Sequence, residues 1–314
     1  MKISATGAQF DCIKGSIVTL TLFLAYIAVP LVGMIPGLFA PLPVMYYSVK
    51  SGKGTGYLII AISTVVLSLL TDVATTVLFL MQCGVMAIAI PHFLINGKPP
   101  LRGVTYAVAI NFGLVLLLAV GYAITQGVDL HGQILKGIAA SINQTAQLYQ
   151  KSGISGEDLK NLQEGLRQAG VLIGKIYPAL LLLSLATIAI MNLAALARIS
   201  ARLPNPVLLG DFRKFRNPDQ LVWLFIAAGF GLLASNPEIK GAAWNLMIVT
   251  LFLYFMQGLA VIEHLFARYN IKGFMRWFFY ILIFLQPYLT IAVALLGVFD
   301  LWGDFRTPKQ QENL

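Results

Sequence analysis

Long apolar runs, each ended by turn residues or charge, take up most of this 314-residue chain and dictate that its solvent is lipid. The run over residues 176–197 holds Asn192 as its one strongly polar side chain. A charge at mid-bilayer costs about 2.5–3.5 kcal/mol on insertion scales, so such runs are built for hydrocarbon. In that medium every peptide group must be satisfied within the protein, which selects helices. The expected fold is all-α: a polytopic transmembrane helix bundle of about nine membrane segments, with an amphipathic helical hairpin on its outer face. Composition agrees. Hydrophobic residues make up 58% and charged ones 11%, against roughly 45–50% and about 25% in soluble domains.

The nine runs are 17–32, 36–49, 57–70, 73–90, 104–125, 176–197, 221–234, 242–262 and 277–298. The first two are short and carry Pro30, Pro36, Pro41 and Pro43. Each proline removes a backbone donor, so this stretch reads as two short tilted spans or one re-entrant hairpin covered by protein. The third and fourth runs meet at Thr71-Asp72, a turn tight enough to make them antiparallel neighbours. Between the fifth and sixth lies the one sizeable polar insert. Ile134, Ile138 and Ile142 form one stripe at helical spacing, and Leu159, Leu162, Leu166 and Ile173 a second, after a break at Ser152-Gly153. Ser155 and Asp158 read as a capping box for that second helix. Asn217-Pro218-Asp219 offers a cap, an N1 proline and an acidic first turn to the seventh run. The expected organisation is thus residues 1–126 with segments one to five, 127–175 as an extracytoplasmic insert, 176–299 with segments six to nine, and a polar tail over 300–314. Neither end is expected to carry a large soluble domain, and the first run reads as an uncleaved span.

Orientation follows from the cations. With the amino terminus in the cytoplasm of a bacterial cell, the inner segments hold 14 of the 22 Lys and Arg. Five of the remaining eight lie on or beside the long insert, where translocation proceeds largely regardless of charge, and Lys240 is the one basic residue in a short outer loop. All four tryptophans fall near run ends, at headgroup depth. The net charge of +9 is therefore an orienting device rather than a nucleic-acid footprint. Two cysteines and three histidines on separate segments supply no metal-ligand spacing, so no metal or other cofactor is expected.

The polar residues inside the runs are the candidate chemistry. Gln82, Asn111, Asn192, Asn245, Gln257 and Gln286 each need a partner, either across a helix interface as glue worth about 0.6–2 kcal/mol or in a hydrated, solute-binding cavity. Gln257 and Gln286 lie near the middle of their runs, and Pro287 frees a carbonyl beside Gln286. The broken backbone around Pro41 and Pro43 is the other candidate, since discontinuous spans expose backbone dipoles at membrane depth. Glu263-His264 reads as a solvated helix end, with a proton relay as its sharper alternative. Gly33 with Gly37 and Ala109 with Gly113 have small-xxx-small spacing. Arg198, Arg202, Arg213, Lys214 and Arg216 concentrate charge on one inner loop, for lipid headgroups or for a protein partner. There is no G-x-x-x-x-G-K-[ST], no H-E-x-x-H, no G-x-S-x-G and no acidic pair within a span, so ATP use and hydrolysis lack their parts and no catalytic residue is assigned.

Gly258, Glu263-His264-Leu265-Phe266, Lys272, Arg276, Gly297-Val298-Phe299-Asp300 and Asp304-Phe305-Arg306 resemble the YybS-like family of uncharacterised bacterial membrane proteins. Pro41-Leu42-Pro43 followed by Lys50 and Gly52 is similar to that family's amino-terminal pattern. The insert over 127–174 matches least. The family has no established activity, so the resemblance implies no site residues. A looser similarity in helix pattern to the substrate-binding subunits of energy-coupling-factor transporters is fold-level analogy, and the first run has no Ala-x-x-x-Ala docking pair. The expected function is a non-catalytic small-solute-binding or transport subunit of the bacterial inner membrane. The alternative is a membrane scaffold that recruits a cytosolic partner through the basic inner loop.

Overall fold

The computed structural model describes residues 5–29, 32–303 and 305–306, so Pro30 and Asp304 lie outside the described residues. Within these residues the chain is all helical, with no strand, and it divides into two compact units. One comprises 1–130 and 181–210, the other 131–180 and 211–314.

In the first unit α1 (Ala5–Ala28) is followed by the short helices α2 (Met34–Leu38) and α3 (Leu42–Ser51). Prolines explain the break. Pro41 is the N-cap of α3 and Pro43 lies in its first turn, where a missing N–H costs nothing. The expected second segment is therefore split, and Pro41, Pro43, Val44, Met45 and Ser48 are all buried in protein. Close approach to α1 is licensed by Gly33 and Gly37: a Cβ on the first would strike the Ala25 carbonyl, and on the second the Tyr26 side chain. Gly113 faces open space, so the Ala109/Gly113 spacing makes no such contact. Asp11, near the start of α1, accepts from Lys50 Nζ at 2.7 Å and Ser51 Oγ at 2.5 Å, which returns the end of α3 to the start of α1.

α4 (Lys53–Leu70) then leaves that end, and the chain comes back through α5 (Val73–Phe79), a π turn (Leu80–Gly84) and α6 (Val85–Ile95). Asp72 caps α5 by accepting from the Thr75 N–H at 2.6 Å, a bond that holds its carboxyl below the usual range. Lys53 Nζ donates to Asn96 Oδ1 at 2.8 Å, so Lys50, Lys53 and the loop carrying Lys98 gather at the end where α1 begins. α7 (Pro100–Gln126) departs again and stops at Gly127, whose φ of 63° makes the left-handed cap.

α8 (Leu130–Lys151) and the first part of α9 (Gly156–Ile199) form the expected amphipathic hairpin, with Gly170 and Gly174 of α9 packed on Ile142 and Leu135 of α8. α9 runs 44 residues, roughly 66 Å at about 1.5 Å per residue. The insert's second helix and the sixth membrane segment are therefore one rod. The second unit continues with α10 (Leu221–Leu232), α11 (Pro237–Arg268), α12 (Gly273–Leu285) and α13 (Pro287–Gly303). Asn236 caps α11 from Oδ1. α10 starts at Leu221 with Gln220 as its N-cap, so Asn217 does not cap it; buried Gln257 and the Leu253 carbonyl claim Asn217 instead.

Among the described residues, six helical stretches are long and apolar enough to cross a membrane: α1, α4, α5 to α6, α7, α9 and α11. α12 and α13 pass the same test together but bend by 106°, and α10, with 12 residues, is shorter. The nine expected segments thus resolve into six such helices, one bent pair and two stretches too short for a bilayer core of about 30 Å. Their apolar surface faces outward. Only 17% of the most apolar window of α7 is buried, and Leu69, Val73, Ile124 and Phe284 are each more than three-quarters exposed. Acyl chains cover such a surface without cost.

Helix breaks leave peptide groups that side chains satisfy. Pro178 interrupts α9, and Asn245 of α11 enters there: its Oδ1 accepts from the Ala179 N–H and its Nδ2 donates to the Lys175 carbonyl, both at 2.8 Å. Those two groups would bond each other in an unbroken helix. Asn245→Leu leaves both without that partner, and a loss of about 1–3 kcal/mol is expected, read as a lower midpoint of thermal unfolding in detergent. Where α11 meets α13, a Cβ on Gly297 would collide with the Tyr254 carbonyl and one on Gly258 with the Val293 carbonyl. Gly297→Leu forces the two helices apart and is expected to cost about 1–3 kcal/mol or more in the same assay. Gly241→Ala, where nothing lies within 4 Å, is the control and does not lower the midpoint.

Candidate functional site

Asn111 and Asn192 of the first unit bond backbone. Asn111 is fully buried and donates at 2.8 Å to the Met81 carbonyl, which the π turn deprives of its usual acceptor role because the Val85 N–H goes to Leu80 instead. Gln82 sits half-buried on that turn. Asn192 donates at 2.7 Å to the carbonyl of Leu38, the last residue of α2, and at 2.8 Å to Ile188. With Pro41 and Pro43 buried in the corner between α2 and α3, these residues make joints between helices. In the second unit Gln286 is exposed at the α12–α13 bend, where its carbonyl accepts from Leu289 and Thr290. The Thr290 hydroxyl donates to Ile283 at 2.7 Å, replacing the N–H that Pro287 lacks.

Gln257 has a different setting. It is fully buried on α11; its Oε1 accepts from the Asn217 N–H at 3.0 Å and its Nε2 donates to Asp300 Oδ2 at 2.9 Å. Asp300, 3% exposed at the end of α13, also accepts from Arg306 Nη2 at 2.7 Å. Arg306 Nη1 reaches the carbonyls of Arg213 (3.0 Å) and Phe215 (2.8 Å), and Asn217 Nδ2 the carbonyl of Leu253 at 2.8 Å. One buried carboxylate, shared by a carboxamide and a guanidinium, thereby ties segment 213–217 to α11 and α13. Truncating one partner of such a pair typically costs about 3–5 kcal/mol because the other charge is left buried and alone.

Above this network lies a cavity of about 440 Å³. Arg213, Lys214, Arg216 and Arg306 line it with Asp211, Asp300 and His264, so Lys and Arg outnumber Asp by two. Asp211 accepts from Arg213 Nε and Nη2 at 2.8 and 2.9 Å, and that guanidinium holds its carboxyl below the usual range. The charges are graded in depth. The Arg213 and Arg216 side chains are each 46% exposed at the rim, whereas Arg306 is 14% and Asp300 3% exposed at the floor. The Lys214 ammonium makes no hydrogen bond or ion pair with a described residue, and the contacts of Arg216 to Asp219 and the Leu301 carbonyl are long, 3.5 and 3.4 Å. The uncommitted charge is therefore positive. Such a site can hold an anion by Coulomb attraction and charge-assisted hydrogen bonds.

Of the basic loop expected from the sequence, Arg213, Lys214 and Arg216 meet at this cavity in the second unit, while Arg198 and Arg202 are exposed in the first, on the end of α9 and on the turn Ser200–Arg202. Glu263 is bound by Arg276 at 2.7 Å and the Tyr280 hydroxyl at 2.6 Å, both on α12; its neighbour His264 lines the cavity. Sequence reasoning named Asp300 and Arg306 only as carriers of a family resemblance, and read His264 with Glu263 as a solvated helix end or a proton relay. The available signal was an acid and a base six residues apart just past the last apolar run, a spacing too common to be read without the fold.

A Bacillus subtilis protein, the uncharacterised YybS, is 24% identical over 289 residues, which cover 90% of this chain and 91% of the relative. No solved structure matches the chain. The family DUF2232, described as predicted membrane proteins, matches residues 17–301, from within α1 to near the end of α13, and so includes Gln257 and Asp300 but not Arg306. On that extent, the chain belongs to the DUF2232 family of membrane proteins.

Proposed function

We propose that this protein is a non-catalytic subunit of the bacterial cell membrane that binds a small anionic solute or lipid headgroup in the cavity over Asp300. The observation that carries the reading is the combination of volume and charge: about 440 Å³ lined by an excess of cations, with Lys214 uncommitted. The carboxamides of Asn111, Asn192 and Asn245 bond backbone at helix joints, which favours the Arg213 to Arg216 segment as the binding surface. A cytoplasmic amino terminus is favoured by the gathering of Lys50, Lys53 and the Lys98 loop at the start of α1. A scaffold role for the same segment draws on the exposed Phe212 beside Arg213, a basic and aromatic rim that a partner protein can grip.

The test is thermal unfolding of the purified full-length protein with inorganic phosphate. Phosphate is expected to raise the midpoint beyond matched sodium chloride, by an increment growing to about 2.7 kcal/mol at roughly a hundred times Kd. The effect shrinks as ionic strength rises, because charges at the rim are screened over about 8–10 Å. Lys214→Glu removes it without touching the folding network. An identical midpoint in phosphate and chloride refutes the reading.

A further inference from the structure

The floor of the cavity offers more than positive charge. The two oxygens of Asp300 are used unequally: Oδ2 accepts from both Gln257 and Arg306, whereas Oδ1 has no donor among the described residues. Arg306 is used unequally too. Its Nη1 and Nη2 are committed to two carbonyls and to Asp300, and its buried Nε has no acceptor among the described residues. A buried group without a partner costs about 1–3 kcal/mol, and more when charged. One acceptor and one donor left over on the same ion pair match a group that both donates and accepts. A hydroxyl does so; a bare anionic oxygen cannot donate, and an ammonium cannot accept.

The rim wants the opposite chemistry. Lys214, Arg216 and the free edge of Arg213 present cations to an anion that enters from the exposed side. Arginine forks and a lysine point charge suit the tetrahedral oxygens of a phosphate. From rim to floor the cavity therefore asks for phosphate first and a hydroxyl beyond it.

We propose that the cavity recognises a phosphate ester of a small polyol, with the phosphate held by Arg213, Lys214 and Arg216 and a neighbouring hydroxyl donating to Asp300 Oδ1 while accepting from Arg306 Nε. This deepens the anion-binding reading and rests on it. Two sources carry the same chemistry: a soluble phosphorylated polyol, and the glycerol-phosphate headgroup of an anionic lipid. Asp300 works against a ligand bearing phosphate alone, since its carboxylate repels an anion pushed to the floor; the hydroxyl separates the two charges.

The experiment compares ligands on the full chain reconstituted in zwitterionic lipid nanodiscs. Glycerol 3-phosphate and methyl phosphate carry the same anion and differ in the hydroxyls. Glycerol 3-phosphate is expected to bind about tenfold tighter or more, the gain of a hydrogen bond to a charged group. Asp300→Asn is expected to erase most of that preference, and Lys214→Glu to weaken both ligands alike. In a second arm, nanodiscs containing phosphatidylglycerol are set against ones with phosphatidic acid at equal charge. A higher unfolding midpoint with phosphatidylglycerol, together with no response to the soluble ester, supports the proposal with the lipid as source. Tighter binding of the soluble ester than of methyl phosphate supports it with a free solute. Equal affinity for glycerol and methyl phosphates, with no preference between the two lipids, overturns the polyol assignment while the anion site stands. No response to any phosphate overturns both.

Discussion

In a solvent that cannot hydrogen-bond, every peptide group released by a helix break must find a partner inside the protein, and that requirement shapes most of what is polar in this chain. Pro178, the π turn at Leu80–Gly84, the end of α2 and Pro287 each free a carbonyl or an amide. Asn245, Asn111, Asn192 and Thr290 answer them in turn. Each answer comes from a side chain that would otherwise be a costly polar group in hydrocarbon. Break and carboxamide thus stabilise each other, and helices can be interrupted at membrane depth without exposing backbone to lipid.

The same economy of partners separates the structural polar residues from the cavity. Gln257 bonds to a backbone N–H and to Asp300, so it supports segment 213–217 from below. Glycines at 258 and 297 let α11 and α13 approach closely enough for that bond to form. The cations above it are then held on a rigid base, and their fields add over a volume suited to a small anion. Function in this reading depends on packing two helices at glycine as much as on the charges themselves.

Much of the class was legible in order along the chain. Runs of apolar residues, cations biased to alternate loops, tryptophans near run ends and two amphipathic stripes in the insert follow from the energy of placing side chains in lipid, which is a local property. The broken second segment was legible as well, because a proline acts on its own turn. What could not be read was which carboxamide is a joint and which supports a site. That depends on the partner, and the partners lie 30 residues away for Asn111 and Met81, 43 for Gln257 and Asp300, and 154 for Asn192 and Leu38.

By itself, then, the sequence determined an all-helical membrane protein, its hairpin insert and the basic character of the 213–216 segment, since hydropathy and charge need no knowledge of neighbours. Tertiary structure alone decided that α9 is one rod through insert and membrane segment, that the last run bends at Gln286, and that Asp300 and Arg306 sit beneath three cations. The physical reason is that burial and hydrogen-bond pairing are properties of contacts between distant residues, whereas the preference for lipid over water is set residue by residue.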